Sequence, residues 1–112
     1  MWTYPVNMTH HLLSHARILH KLCVDSNFDG ADFTNAIVDR ASFQGSSLRG
    51  AIFANAVLTG TSFKDADVEN ADFTEAYIGD FDIRNLCKNP TLKGENSVTG
   101  ADTRLSAGCS VK

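Results

Sequence analysis

From Ser26 to Asp80 the sequence divides into eleven consecutive five-residue units without a single insertion. Their third residues are Phe28, Phe33, Val38, Phe43, Leu48, Phe53, Leu58, Phe63, Val68, Phe73 and Ile78, all large and apolar. Their first residues are Ala in eight units and Ser26, Ser46 or Thr61 in the others. A period of five is neither helical nor that of a simple strand, and self-similarity over a fixed period determines architecture ahead of local propensity. First and third residues lie two apart, so in an extended segment both face the same side. Continuing the strand would throw the next apolar residue to the opposite face, so the phase must be reset at every unit boundary. The fifth residue is Gly, Asn or Asp in nine of the eleven units, types that suit a corner.

Four such corners close a coil of twenty residues, and stacked coils place residue n over n+20 at the ~4.8 Å strand spacing. The sequence agrees with that register. Phe33, Phe53 and Phe73 fall in one column, Val38, Leu58 and Ile78 in a second, and Phe43 and Phe63 in a third, while Phe28, Leu48 and Val68 make a mixed fourth. The chain is therefore expected to be all-β, with a thin column of apolar side chains as its core.

The A-(D/N)-(L/F)-x-x pattern, clearest in ADFTN, ADVEN and ADFTE, resembles the pentapeptide-repeat proteins. That resemblance implies a right-handed quadrilateral β-helix, here with short helical caps expected at both ends. Departures from the pattern put Ile37, Ile52, Val57 and Tyr77 at the outward second position, marking places where the wall is sticky toward a cap or partner.

Formal net charge is −3, unevenly spread: residues 26–80 hold nine acids and three bases, the flanks seven bases and four acids. The acids Asp65, Asp67, Glu69, Asp72, Glu75 and Asp80 crowd the later coils. Such a barrel is a poor nucleic-acid binder by charge. It suits instead either a protein partner or, as an alternative, the acidic DNA mimicry by which some pentapeptide-repeat proteins bind DNA gyrase. No stretch approaches the eighteen or more apolar residues of a membrane span. Phosphate loops, CxxC, HExxH and nucleophile elbows are missing, and acids spaced by fives form no catalytic pair, so no enzyme and no cofactor are expected.

The flanks read as plugs for the open ends that a coil presents. Met1 to Val6 (MWTYPV) is placed over an edge. Leu12, Ala16, Leu19 and Cys23 recur at helical spacing behind Thr9, a plausible N-cap, so residues 1–25 are expected to be a helical cap or else a leader outside the fold. Within such a helix His11 and His15 would stand one turn apart, but no third ligand accompanies them and no metal is expected. After Asp80 the rhythm breaks. Phe81, Ile83 and Leu86 suggest a short helix ended by Asn89-Pro90, leading into a polar tail within a C-terminal cap over 81–112. Cys87 and Cys109 bracket that tail, either bridged or as two buried thiols, and Cys23 is left as a small buried hydrophobe.

The stretch LCKNPTLKGENSVTGADTRLSAGC, Leu86 to Cys109, is similar to the C-terminal segment of pentapeptide-repeat proteins of the chloroplast thylakoid lumen and their cyanobacterial relatives. The resemblance implies a Cys87–Cys109 disulfide and an oxidising, lumenal location for a protein-interaction module.

Overall fold

The computed structural model describes residues 5–110. Coils of twenty residues stack by parallel pairing of n with n+20, giving four walls. One wall pairs Asn7, Asn27, Ser47 and Asp67 in sequence, the next Leu12, Asp32, Ile52 and Asp72. The third carries β1 (Arg17–Leu19) on β2 (Ile37–Asp39), then Val57 and Tyr77, and the fourth pairs Leu22, Ser42 and Ser62. We number these walls 1 to 4 in the order given. Two amides per unit donate to the coil below: Phe33 N–H to Ile52 O (2.6 Å) and Asn35 N–H to Ala54 O (2.9 Å) are typical. One donates upward, as from Asp32 N–H to His11 O (2.9 Å).

Each corner is made by a left-handed residue. From His10 to Glu75 the fifth position always has positive φ, including Arg40 at 52° and Glu75 at 56°. Inside, the phenylalanines are fully packed: Phe53 lies between Phe33 and Phe73 with parallel rings at 4.6 and 5.2 Å, while Phe43 and Phe63 meet it edge-on. Of the eleven column residues, ten are buried and Ile78, in the last unit, is only partly so. The small first residues from Ser26 to Ala71 are buried beside them and Ala76 partly so, with Ser46 Oγ and Thr61 Oγ1 donating to Cys23 O and Val38 O.

The N-terminal segment corrects the expectation of a helical cap. Residues from Val6 onward form a further coil, with Met8, Leu13, Ile18 and Cys23 as third residues and His10, His15, His20 and Asp25 at the corners. Met8 N–H reaches Asn27 O (2.6 Å), Leu13 N–H reaches Asp32 O (2.7 Å) and Cys23 N–H reaches Ser42 O (2.7 Å), so these amides serve rungs and not a helical ladder. Burying the five-spaced residues on the coil below outweighs a 3.6-residue pattern that has nothing to pack against. A leader outside the fold is excluded from Val6 on by the same bonds. Most of the MWTYPV stretch, residues 1–4, lies outside the described residues; Val6 itself accepts from Asn27 N–H (2.9 Å) as part of wall 1.

At the other end the chain leaves the coil in α1 (Asp80–Cys87), and a second short helix, α2 (Thr103–Ser106), starts from Asp102, whose side chain accepts from Leu105 N–H (2.9 Å). The tail imitates the missing next coil. Thr91 Oγ1 accepts from Val68 N–H (2.9 Å), Lys93 O from Asn70 N–H (2.9 Å) and Ser106 Oγ from Phe73 N–H (3.0 Å). Asn89 Nδ2 donates to Ala66 O (2.9 Å) as an incoming strand would. Buried Asn96 satisfies all its valences, donating to Asn70 O and Gly50 O and accepting from the Val98 and Thr99 amides. Leu86, Leu92, Ala107 and Cys109 close the core beneath.

Candidate interaction surface

Of the four outward apolar residues, three share one wall. Ile37, Val57 and Tyr77 are stacked by consecutive rungs on wall 3 and are 39%, 37% and 62% exposed. They form a strip held rigid by the coil behind it, since Val38 and Leu58 on the inward side are fully buried. Ile52 does not join them. It sits on wall 2, only 8% exposed, next to the corner where Asn96 of the tail reaches Gly50 O and Asn70 O. The expectation of an outward sticky residue there is corrected: the tail folds over that side of the coil.

The acids likewise separate. Asp72 is buried, its carboxylate accepting from both the amide and the hydroxyl of Thr74 (2.8 and 2.5 Å), so it is a wall residue and not part of an acidic surface. Asp67 and Glu69 on wall 1 face Arg49, at 3.4 and 3.1 Å. Asp65 and Glu75 occupy exposed corners at different edges of the coil, and Asp80 begins α1. Wrapping the chain around four walls thus disperses acids that are close in sequence.

The histidines do not converge either. His10, His15 and His20 stand at three successive corners, and His11 begins a unit, so the one-turn spacing of His11 and His15 has no helix to realise it. His20 lies 3.7 Å from Asp39. Among the described residues no group of three or more His, Cys, Asp or Glu side chains is arranged to hold a metal, and no helix is long and apolar enough to cross a membrane.

Cys87 and Cys109 are joined in a disulfide, Cα–Cα 5.7 Å, which closes the tail onto the end of α1. Arg104 secures the same junction by donating to Cys87 O (3.1 Å) and Ser110 O (2.7 Å). Cys23 is free, buried at the head of the Phe43 and Phe63 column, and burial pushes its thiol up to about 11 despite the nearby Lys21.

A cleft of about 670 Å³ was not foreseen from sequence. It runs between the lower edge of wall 4 and α1, lined among others by Thr61, Phe63, Asp65, Phe81, Leu86 and Pro90. Phe81, one of the three apolar residues that suggest the short helix in sequence, is 69% exposed at the cleft. The only trace in sequence is the change from fives to a helical pattern at Asp80, which leaves wall 4 one unit shorter than its neighbours.

Stacked twenty-residue coils of parallel rungs around apolar columns define a solenoid of the β-helix kind. The chain carries pentapeptide repeats, the signature of proteins that fold as right-handed quadrilateral β-helices: the profile for pentapeptide repeats matches residues 26–65 and 39–74, with eight copies. Among solved structures it is similar to HetL, a pentapeptide repeat protein involved in heterocyst differentiation regulation from the cyanobacterium Nostoc sp. strain PCC 7120, at 29% identity and a TM-score of 0.62. That match covers 63% of this chain and 33% of HetL, so the chain spans about a third of HetL's length. A pentapeptide repeat protein from the Arabidopsis thaliana thylakoid lumen is 26% identical with a TM-score of 0.45, covering 95% of this chain and 90% of that one. No curated protein matches the chain.

Proposed function

We propose that the protein is a non-catalytic protein-interaction module of the chloroplast thylakoid lumen. The observation that carries the reading is the aligned strip of Ile37, Val57 and Tyr77, an apolar surface displayed on a backbone that cannot rearrange to hide it. Pentapeptide-repeat proteins are in general non-enzymatic, in keeping with a core filled by side chains. The lumenal location rests on the Leu86 to Cys109 segment and on its disulfide, a bond that persists in oxidising compartments. Docking is favoured over mimicry of DNA because Asp67 and Glu69 are already engaged by Arg49 and Asp72 is buried, leaving no continuous row of free acids.

The test is a pull-down from thylakoid lumen with the intact disulfide-bonded protein, read by mass spectrometry, beside the Tyr77→Asp variant. Recovery of a specific lumenal protein that Tyr77→Asp fails to retain supports the reading. Inhibition of gyrase supercoiling, with no lumenal protein retained, would replace it by mimicry.

A further inference from the structure

In the regular coil each unit offers the next one a fixed set of partners. On wall 4, Ala41 O accepts from Ser62 N–H (3.0 Å), while Phe43 and Gly45 amides donate to Ser62 O (2.9 Å) and Lys64 O (3.1 Å). One coil lower, the equivalent groups are Thr61 C=O, Phe63 N–H and Asp65 N–H, and none has a partner among the described residues. The chain that would have answered them has turned into α1, while walls 1 and 2 are covered by Thr91, Lys93 and Ser106 of the tail. These three groups border the cleft, whose opposite side is Phe81, Leu86 and Pro90. Phe63 is 7% exposed where Phe43 above it is fully buried, so its lower face looks into the same space.

The geometry points to a peptide-binding groove: an extended segment of a partner protein enters the cleft parallel to residues 61–65 and supplies the absent rung of wall 4. This rests on the interaction-module reading and gives it a specific site, separate from the strip on wall 3. The peptide's second residue donates its N–H to Thr61 O and accepts from Phe63 N–H, and its fourth carbonyl accepts from Asp65 N–H, repeating the pattern of the coil above. Edge pairing of this sort supplies affinity through main-chain bonds and specificity through alternate side chains. The inward residue is apolar, meeting Phe63 and Leu86, and the flanking ones lie against Phe81 and Pro90. Lys64 and Lys88 are balanced by Asp65 and Asp82 along the groove, so the segment recognised is short, extended and without strong net charge. A whole second coil cannot take this place, because the tail blocks the walls on either side of the corner at Asn70.

The probe is the uncharged peptide acetyl-Ala-Asn-Leu-Thr-Asn-amide, titrated into the isotope-labelled full chain and followed by amide NMR. Shifts should be confined to residues 61–66 and 81–91, with exchange of the Phe63 and Asp65 amides slowed on saturation. N-methylation of the probe's second residue should weaken it roughly threefold to tenfold, as expected for one main-chain hydrogen bond. Phe81→Ala, at an exposed position, should weaken it about tenfold through lost apolar contact. Slow exchange of Phe63 and Asp65 in the free protein, shifts outside the groove, or equal binding of the N-methyl probe would overturn the proposal. A lumenal protein retained by Phe81→Ala but lost in Tyr77→Asp would overturn the groove while leaving the interaction module intact.

Discussion

The fifth residue of every unit from His10 to Glu75 adopts a backbone that only Gly takes without strain, and ten of these fourteen corners are not Gly. For an L-residue with a side chain that conformation costs ~1–2 kcal/mol, less for Asn and Asp. Glu75 has neither the local hydrogen bonding of Asn nor burial to recommend it. Glu75→Gly is therefore expected to stabilise by roughly 0.5–1 kcal/mol after the extra entropy of an unfolded glycine, measured by denaturant titration. Cys23 gives a pH prediction. Its folded-state pKa is raised to about 11 from an ordinary value of 9.0, so its contribution is fully present below pH 9 and is lost as the pH rises toward about 11. Unfolding titrations across that interval should show stability falling with a slope that becomes shallower in Cys23→Ala. The corner residues were legible in sequence as turn formers. Their left-handed backbone was not, because Arg40, Glu75 and three histidines are poor turn signals taken singly.

Among the elements, the columns are the most legible, since an apolar third residue recurs without exception from Phe28 to Ile78. Phe53 is at the centre of that packing, touching four other rings. Phe53→Ala should cost ~3–5 kcal/mol, through lost transfer energy and a cavity that flanking coils cannot close. A loss under about 1 kcal/mol would contradict the register, given the usual cost of emptying a core site. The first coil was hidden because His11 and Lys21 replace the small first residue, while Leu12, Ala16 and Leu19 imitate a helix. The signal that reveals it is the continuation of the columns themselves: Ile18 stands in register with Val38 and Leu58, and Leu13 with Phe33. The tail carried no repeat to read. Its caps work through single side chains such as Asn89, Asn96 and Ser106, and sequence does not say which orphan amide or carbonyl each one reaches.

Across the whole molecule, 38 × 28 × 22 Å, the two ends are unequal. The lower end is held by the tail, and the tail by a disulfide spanning 22 residues. Replacing Cys87 and Cys109 together by Ser should lower stability by ~3 kcal/mol, as expected for opening a loop of that size. The last coil around Phe73 and Ile78, with Leu86 of α1 packed beneath it, should loosen first, seen as earlier loss of its amide protection. At the upper end Met8 and Leu13 remain partly open, while Phe28 and Phe33 beneath them are sealed.

The central claim is a single twenty-residue register running from Val6 to the start of α1. Amide hydrogen exchange over residues 8–25 tests it most directly. The account predicts an interrupted pattern: protected amides at Met8, His10, Leu13, His15, His20 and Cys23, which donate to the coil below, beside fast exchange at Leu12, whose amide has no partner among the described residues. Uninterrupted protection from Leu13 through Cys23, as a helix would give, or free exchange throughout, would contradict it.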